Sequence, residues 1–134
     1  MHRLAAWGAL GAALLVTACS NPVDPLDAVG EWNGEGAHAV IDASSARFEF
    51  DCAHGRSDVP LLLDGDGRFR VDGVWVPEGG PVGEGTPREE FATVYHGRVD
   101  GDTMTLAVDI LPLDVTAGPY TLQRGSAPFL RKCL

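Results

Sequence analysis

The side chains of this chain that can undergo the most kinds of reaction are its three cysteines, Cys19, Cys52 and Cys133. A thiol can carry an acyl group, pair in a disulfide, bind a metal or act as a nucleophile. An odd number of cysteines in an exported protein requires one of them to have a different fate from the others. The chemistry therefore depends on whether the chain is exported, and on what precedes Cys19.

A segment of secretory type precedes the first cysteine. His2 and Arg3 give it a small positive start, and residues 4–16 are apolar throughout. That length suits the core of a signal peptide and is too short to span a bilayer as a mature helix. The segment ends in residues 15–19 (LVTAC), an aliphatic residue and two small residues before cysteine, which resembles the lipobox of bacterial lipoproteins.

The lipobox resemblance implies a division of the chain into three parts. Residues 1–18 are a lipoprotein signal peptide, residues 19–29 a lipidated tether, and residues 30–134 the folded domain. Acyl chains on Cys19 would hold the protein on a membrane of the cell envelope. By resemblance to Gram-negative lipoproteins, Ser20 rather than Asp after the cysteine implies the periplasmic face of the outer membrane.

The lipobox also implies what the other two cysteines do. With Cys19 occupied by lipid, Cys52 and Cys133 remain, and two cysteines in an oxidising compartment usually pair. The disulfide would close a loop of about 80 residues, worth about 4 kcal/mol in the chain-entropy treatment. It would also fix the C-terminal residues 131–134. The alternative is a reactive thiol at Cys52, with His54 two residues away.

The net charge of the chain indicates which classes of molecule it can bind. The whole chain has a formal net charge of −9, and loss of residues 1–18 removes one basic residue and no acidic one, which makes it −10. Nucleic acid is excluded as a partner, because phosphate binding needs clustered Lys and Arg. Anionic lipid head groups should repel the domain, so we expect it to stand off the membrane. Basic envelope or exported proteins are electrostatically suitable partners.

No other group of residues has the spacing that a catalytic or metal-binding motif requires. The histidines of the mature chain have no zinc-ligand spacing, so surface or turn positions are predicted for His38, His54 and His96. Residues 64–68 (DGDGR) have carboxylates at the first and third positions, as the start of a calcium-binding loop does. Such a loop needs oxygen ligands at its fifth and twelfth positions, where this chain has Arg68 and Trp75, so a hairpin turn is favoured. The sequence contains no nucleophile elbow, phosphate-binding glycine loop or HExxH motif. We predict a non-enzymatic protein with no metal or other cofactor.

After residue 30 the apolar residues alternate in steps of two, which predicts short strands and no substantial helix. Strands are predicted over residues 30–41, 47–52, 59–63, 69–76, 91–99, 103–110 and 120–124. Pro60 favours an edge position or a bulge in the third of these strands. Phe48, Phe50 and Cys52 are predicted to face inward. Turns are predicted at residues 42–45, 53–55, 64–67 and 100–102.

The alternation slips after Gly73. Val74 and Val76 have the opposite parity from Phe69 and Val71. A bulge at Gly73 would restore the register, since glycine within a strand often marks one. The alternative is an exposed apolar patch at Val74 and Val76. We favour the bulge.

Seven or eight short antiparallel strands without covering helices must curl into a barrel or split into a sandwich. We predict a small antiparallel up-and-down β-barrel. Residues 30–32 (GEW) and 121–124 (TLQR) together resemble the calycin superfamily, which includes the lipocalins. That resemblance implies that Arg124 on the last strand packs across Trp32 on the first and closes the barrel base. The guanidinium plane suits the indole face. The alternative is an ordinary buried Trp32 in another kind of small barrel.

The loop over residues 77–90 is the predicted binding site, since binding residues often lie on loops held by a rigid scaffold. Its candidate binding residues are Glu78, Glu84, Arg88, Glu89 and Glu90. The alternative is a solvated connection.

Three classes of function remain open. The first is a non-enzymatic lipoprotein that binds a small apolar ligand or a partner protein. The second is an inhibitor of exported hydrolases such as lysozyme or proteases, favoured by the acidic charge. The third is a structural envelope component, for which the sequence gives no positive sign.

Overall fold

In a computed structural model, which describes residues 11–12, 23–79, 88–125 and 130–133, the chain forms eight strands and one short 3-10 helix, Leu111–Leu113. The strands are β1 (Gly30–Gly34), β2 (Ala37–Ile41), β3 (Ala46–Phe50), β4 (Ala53–Ser57), β5 (Arg68–Pro77), β6 (Phe91–Asp100), β7 (Thr103–Ile110) and β8 (Val115–Arg124).

Consecutive strands pair antiparallel around a closed barrel, and β8 returns to pair with β1. The closing register places Trp32 opposite Arg124 and Asn33 opposite Gln123. The predicted all-β, up-and-down barrel is therefore confirmed, with eight strands. The closure is short, because β8 pairs with β1 at residues 123 and 124 only, and β4 pairs with β5 only over residues 74–77.

Alternate residues of each strand build the core. On β3 the side chains of Ala46, Phe48 and Phe50 are buried, while Arg47 and Glu49 between them are exposed. This is the period-2 pattern of a strand with one face inside. The inward face predicted for β7 is also confirmed, since its members are all buried: Met104, Leu106, Val108 and Ile110.

The strand ends form two rims at opposite ends of the barrel. The N-terminal rim contains the start of β1, the ends of β4 and β8, and the flanking segments 23–29 and 58–67. The disulfide rim contains the end of β1, the start of β4, the disulfide between Cys52 and Cys133, and both ends of the connection from β5 to β6.

Two predicted features of the first half of the chain are wrong. The single strand predicted over residues 30–41 is a hairpin of β1 and β2 that reverses at Gly36, whose φ of +79° suits glycine. The turn predicted at residues 53–55 is the start of β4. Ala53 and Gly55 resemble turn residues in sequence, but both face the core, where a neighbouring aromatic ring needs the space.

Residues 59–63 do not form the predicted edge strand. Leu61 and Leu63 are buried, while Leu62 is exposed, so the segment covers the N-terminal rim instead of joining the sheet. The backbone N–H of Leu63 donates to the carbonyl of Pro25 at 3.0 Å, which joins this segment to residues 23–29. Pro60 has no N–H to give to a ladder, in keeping with this irregular path.

The turn predicted at residues 64–67 is present, although it links an irregular segment to β5 and is not a hairpin between two strands. Asp64 Oδ1 accepts the backbone N–H groups of Asp66 and Arg68, both at 2.9 Å. The carboxylate therefore organises the turn itself, as Asp commonly does.

The predicted bulge at Gly73 is wrong. β5 keeps one register with β6 throughout, from Arg68 opposite Arg98 to Trp75 opposite Phe91. Trp75 stays on the inner face and lies 4.7 Å from the ring of Phe50, between ring centroids. The register shift that does occur lies between β7 and β8, where Gly118 and Pro119 extend the last strand beyond its predicted start.

Candidate functional site

Trp32 and Arg124, the residues predicted to close the barrel, are in contact at the N-terminal rim. The guanidinium carbon of Arg124 lies 4.2 Å from the centroid of the fully buried Trp32 ring. Arg124 also donates to the carbonyls of Asp27 (2.8 Å) and Val29 (3.1 Å). Trp32 Nε1 donates to the carbonyl of Ala28 at 2.8 Å. These bonds fix residues 27–29 across the end of the barrel.

This arrangement fixes the place at which the N-terminal segment leaves the barrel. Val23 packs against the core, and Cys19, four positions earlier, lies outside the described residues. The chain that leads to Cys19 therefore starts from the N-terminal rim. Within the ranges that the structure describes, no helix has the length and apolar character needed to cross a membrane.

The predicted disulfide between Cys52 and Cys133 is confirmed at the opposite rim, with the two Cα atoms 4.9 Å apart and 81 positions between them in sequence. Cys52 was predicted to face inward, but it is exposed in the turn after β3. The backbone N–H of Cys133 donates to the carbonyl of Asp51 at 2.9 Å, and that of Arg131 donates to Asp51 Oδ1 at 2.8 Å.

Lys132 anchors the same rim, and no sequence motif predicts it. Its ammonium donates to Glu49 (2.6 Å), Glu78 (2.8 Å) and the carbonyl of Phe50 (2.8 Å). Burial lowers the pKa of Lys132, but the hydrogen bonds and charges of the two glutamates outweigh it, so this pKa lies above its ordinary value. The only available signal was the neighbouring Cys133, since a disulfide to Cys52 brings Lys132 beside residues 49–53.

The candidate binding residues of the 78–90 connection divide into bound and exposed groups. Burial raises the pKa of Glu78, but Lys132 and His54 outweigh it and hold this pKa below its ordinary value. Glu90 forms an ion pair with Arg56 at 2.9 Å. These two carboxylates fasten the connection to the barrel instead of remaining available to a partner.

The remaining candidate binding residues, Arg88, Glu89 and Glu84, differ in the contacts that the structure shows for them. Arg88 donates to the carbonyl of Pro77 at 3.1 Å, which brings the two ends of the connection together. Glu89 is exposed. Glu84 lies outside the described residues. The structure therefore leaves Glu89, among the described candidates, facing solvent at the disulfide rim.

His38, His54 and His96 each lie beside one carboxylate on the outer face of the barrel. The pairs are His38 with Glu31 (3.2 Å), His54 with Glu78 (3.6 Å) and His96 with Asp109 (3.2 Å). Among the described residues, no three His, Cys, Asp or Glu side chains are grouped as a metal site would require.

Large side chains fill the described interior of the barrel. Phe48 and Tyr95 stack with their ring centroids 4.1 Å apart. Tyr95 donates its hydroxyl proton to the carbonyl of Val74 at 2.6 Å, and burial raises its pKa. A Cβ atom at Gly55 would overlap the Tyr95 hydroxyl, and one at Gly73 would lie 2.8 Å from the Tyr95 ring. Such packing favours binding at the outer surface and the rims over binding inside the barrel.

The chain matches no protein-family model, no curated protein and no solved structure.

Proposed function

We propose that this protein is a non-enzymatic lipoprotein of the bacterial cell envelope that binds a partner protein at its disulfide rim. The observation that carries the proposal is the separation of the two rims. The chain toward Cys19 starts at the N-terminal rim, whereas the 78–90 connection starts and ends at the opposite one. Acyl chains on Cys19 would therefore present the connection on the side facing away from the membrane.

Two further properties support binding at this rim. The barrel interior is occupied by its own aromatic side chains, which favours contact through the surface. The formal net charge of −9 favours a basic partner, because complementary charge accelerates encounter and selects against acidic proteins. A secreted hydrolase such as a c-type lysozyme has the required chemistry, and the protein would then act as its inhibitor.

Anchoring is tested by replacing Cys19 with serine in the full chain. In a bacterium supplied with an alkynyl palmitate analogue, we expect the unmodified chain to be labelled and to sediment with membranes. The C19S variant should lose both the label and the sedimentation, because the acylated thiol is missing. C133S is the matched control, since it removes a cysteine but not the acylation site. Labelling of C19S at the level of the unmodified chain would contradict the proposal.

Partner binding is tested with the full chain and c-type lysozyme as a basic probe. The E84Q/E89Q variant removes two carboxylates from the connection, and we expect about fivefold weaker binding, the scale of two exposed ion pairs. D42N/D66N makes the same change in net charge at the other rim and should leave binding within twofold. The measurements are the affinity of each variant for lysozyme, by calorimetry, and the rate of lysozyme in the presence of each variant. Absence of binding, or equal weakening by both variants, would overturn binding at the disulfide rim.

A further inference from the structure

The outer wall of the barrel carries a groove of about 700 Å³ over β5, β6 and β7, next to the N-terminal rim. Its volume lies within the range of small-molecule sites, roughly 300–1,000 Å³. The side chains that give it chemical character are Leu62, Arg68, Arg70, His96, Arg98 and Thr105. None of them belongs to the disulfide rim, so the groove is separate from the proposed partner site.

Strand register arranges the basic side chains of the groove in two rows. In one row Arg68 lies opposite Arg98, and Arg98 lies opposite Thr105 on the next strand. In the other row Arg70 lies opposite His96. Side chains directly opposite on one face of a sheet are about 5 Å apart at Cβ, and rows two residues apart are separated by about 7 Å. Arg68, Arg70, Arg98 and His96 therefore surround one spot on the surface, which we call the basic grid.

This concentration of positive charge runs against the composition of the chain. The sequence has 10 Lys and Arg against 19 Asp and Glu. Two arginines directly opposite each other repel and destabilise the ladder. The arrangement is therefore a cost to the free protein, which a bound anion would relieve.

Two carboxylates near the basic grid already have partners. Asp64 Oδ1 accepts two backbone N–H groups of its own turn. Asp109 accepts a hydrogen bond from Thr116 at 2.8 Å and pairs with His96 at 3.2 Å. These two contacts, with a smaller effect of the Arg70 charge, hold the pKa of Asp109 below its ordinary value.

Within the described ranges, no carboxylate oxygen lies within 4 Å of a side-chain nitrogen of Arg68, Arg70 or Arg98. Arg98 donates through Nε to the carbonyl of Asp66 at 3.1 Å, which holds its side chain over the groove. By contrast, Arg56 and Arg124 each pair with a carboxylate. Three guanidinium groups of the basic grid thus retain donors for a ligand.

An apolar wall flanks the grid. Leu62 lines the groove with 51% of its surface exposed. We propose that the groove binds a small amphiphilic phosphate, its phosphoryl oxygens on the arginines and its apolar chain against Leu62. Guanidinium groups match phosphate through paired N–H donors, which a lysine cannot reproduce. The proposal goes beyond the partner binding proposed above and does not depend on it.

Isothermal titration of the full chain in a nonionic detergent tests the proposal, with hexyl phosphate as the probe. We expect one site per chain, with at least tenfold weaker binding of inorganic phosphate, which lacks the apolar chain, and none of hexanol. Dihexanoyl phosphatidylglycerol distinguishes the source: tighter binding than hexyl phosphate assigns a lipid head group, and weaker binding assigns a soluble organic phosphate. Failure of hexyl phosphate to bind at one site would overturn the proposal.

Variants place the ligand in the groove. R70Q/R98Q should weaken the binding of hexyl phosphate at least tenfold, because it removes two positive charges and their guanidinium donors and keeps a polar side chain at each position. R47Q is the control for loss of an exposed arginine outside the groove, on β3, and should leave the affinity within twofold. R68Q relieves the repulsion with Arg98, so it should weaken binding without lowering the melting temperature. Equal effects of R47Q and R70Q/R98Q would show that the anion is bound elsewhere.

Discussion

Replacement of Gly55 by alanine is expected to destabilise the barrel by about 3 kcal/mol, the upper part of the range for overpacking a core. The added Cβ would overlap the hydroxyl of Tyr95 and lie 2.5 Å from the carbonyl oxygen of Val74. Tyr95 cannot move aside easily, because its ring is stacked on Phe48 and its hydroxyl donates to that same carbonyl. The measurement is the free energy of unfolding from urea titration.

Two variants control the experiment on Gly55. Gly65 has nothing within 4 Å of an added Cβ and no positive φ, so G65A should change the unfolding free energy by less than about 0.5 kcal/mol. In a Y95F background, G55A should cost less than in the unmodified chain, since the overlapping hydroxyl is gone; the difference is the coupling of the two sites. A cost for G55A as small as that for G65A would show that the interior has room.

Loss of the disulfide is expected to have the second large effect. The C52S/C133S variant should unfold with a free energy about 4 kcal/mol lower, because the closed loop spans 81 positions and its constraint acts on the unfolded chain. That is a large part of the 5–15 kcal/mol by which domains are stable. The measurement is the urea unfolding midpoint, compared between the oxidised chain and the variant.

The reduced, unmodified chain is the control for the disulfide experiment. It should unfold at the same urea concentration as C52S/C133S, because both lack the same constraint. K132M tests the neighbouring contact: it removes the ammonium held by Glu49 and Glu78 but keeps the disulfide, so it should cost less than C52S/C133S. A loss below about 1 kcal/mol in C52S/C133S would mean that the barrel alone fixes the C-terminus.

The architecture could be predicted from the sequence where burial follows the period of a strand. The alternation along β3 and β7 identifies inward residues such as Phe48 and Met104 without any knowledge of their neighbours. The errors lie where a residue serves a distant partner. Gly55 resembles a turn residue, yet it is needed in β4 because Tyr95, on β6, fills the space. No local pattern contains that requirement.

The same distinction applies to the sites. Pairing of Trp32 with Arg124 could be proposed from two short motifs, because both belong to strands whose order was predictable. The basic grid could not be predicted from the sequence, since Arg68, Arg70 and Arg98 become neighbours only through the register of β5 with β6. A shift of one residue would have placed these side chains on opposite faces.

The positions of the two rims also determine how the protein would carry a mechanical load. Tension between residues 23–29 and the 78–90 connection would run from one rim to the other, closer to the strand direction than to the direction of the ladder hydrogen bonds. A ladder loaded in this direction must break many hydrogen bonds together, whereas one loaded across its strands opens one bond at a time. Arg124, which joins residues 27 and 29 to the last strand, would share that load at its entry point. In the proposed tethered state, with a partner held at the disulfide rim, the load would therefore fall on many ladder hydrogen bonds at once.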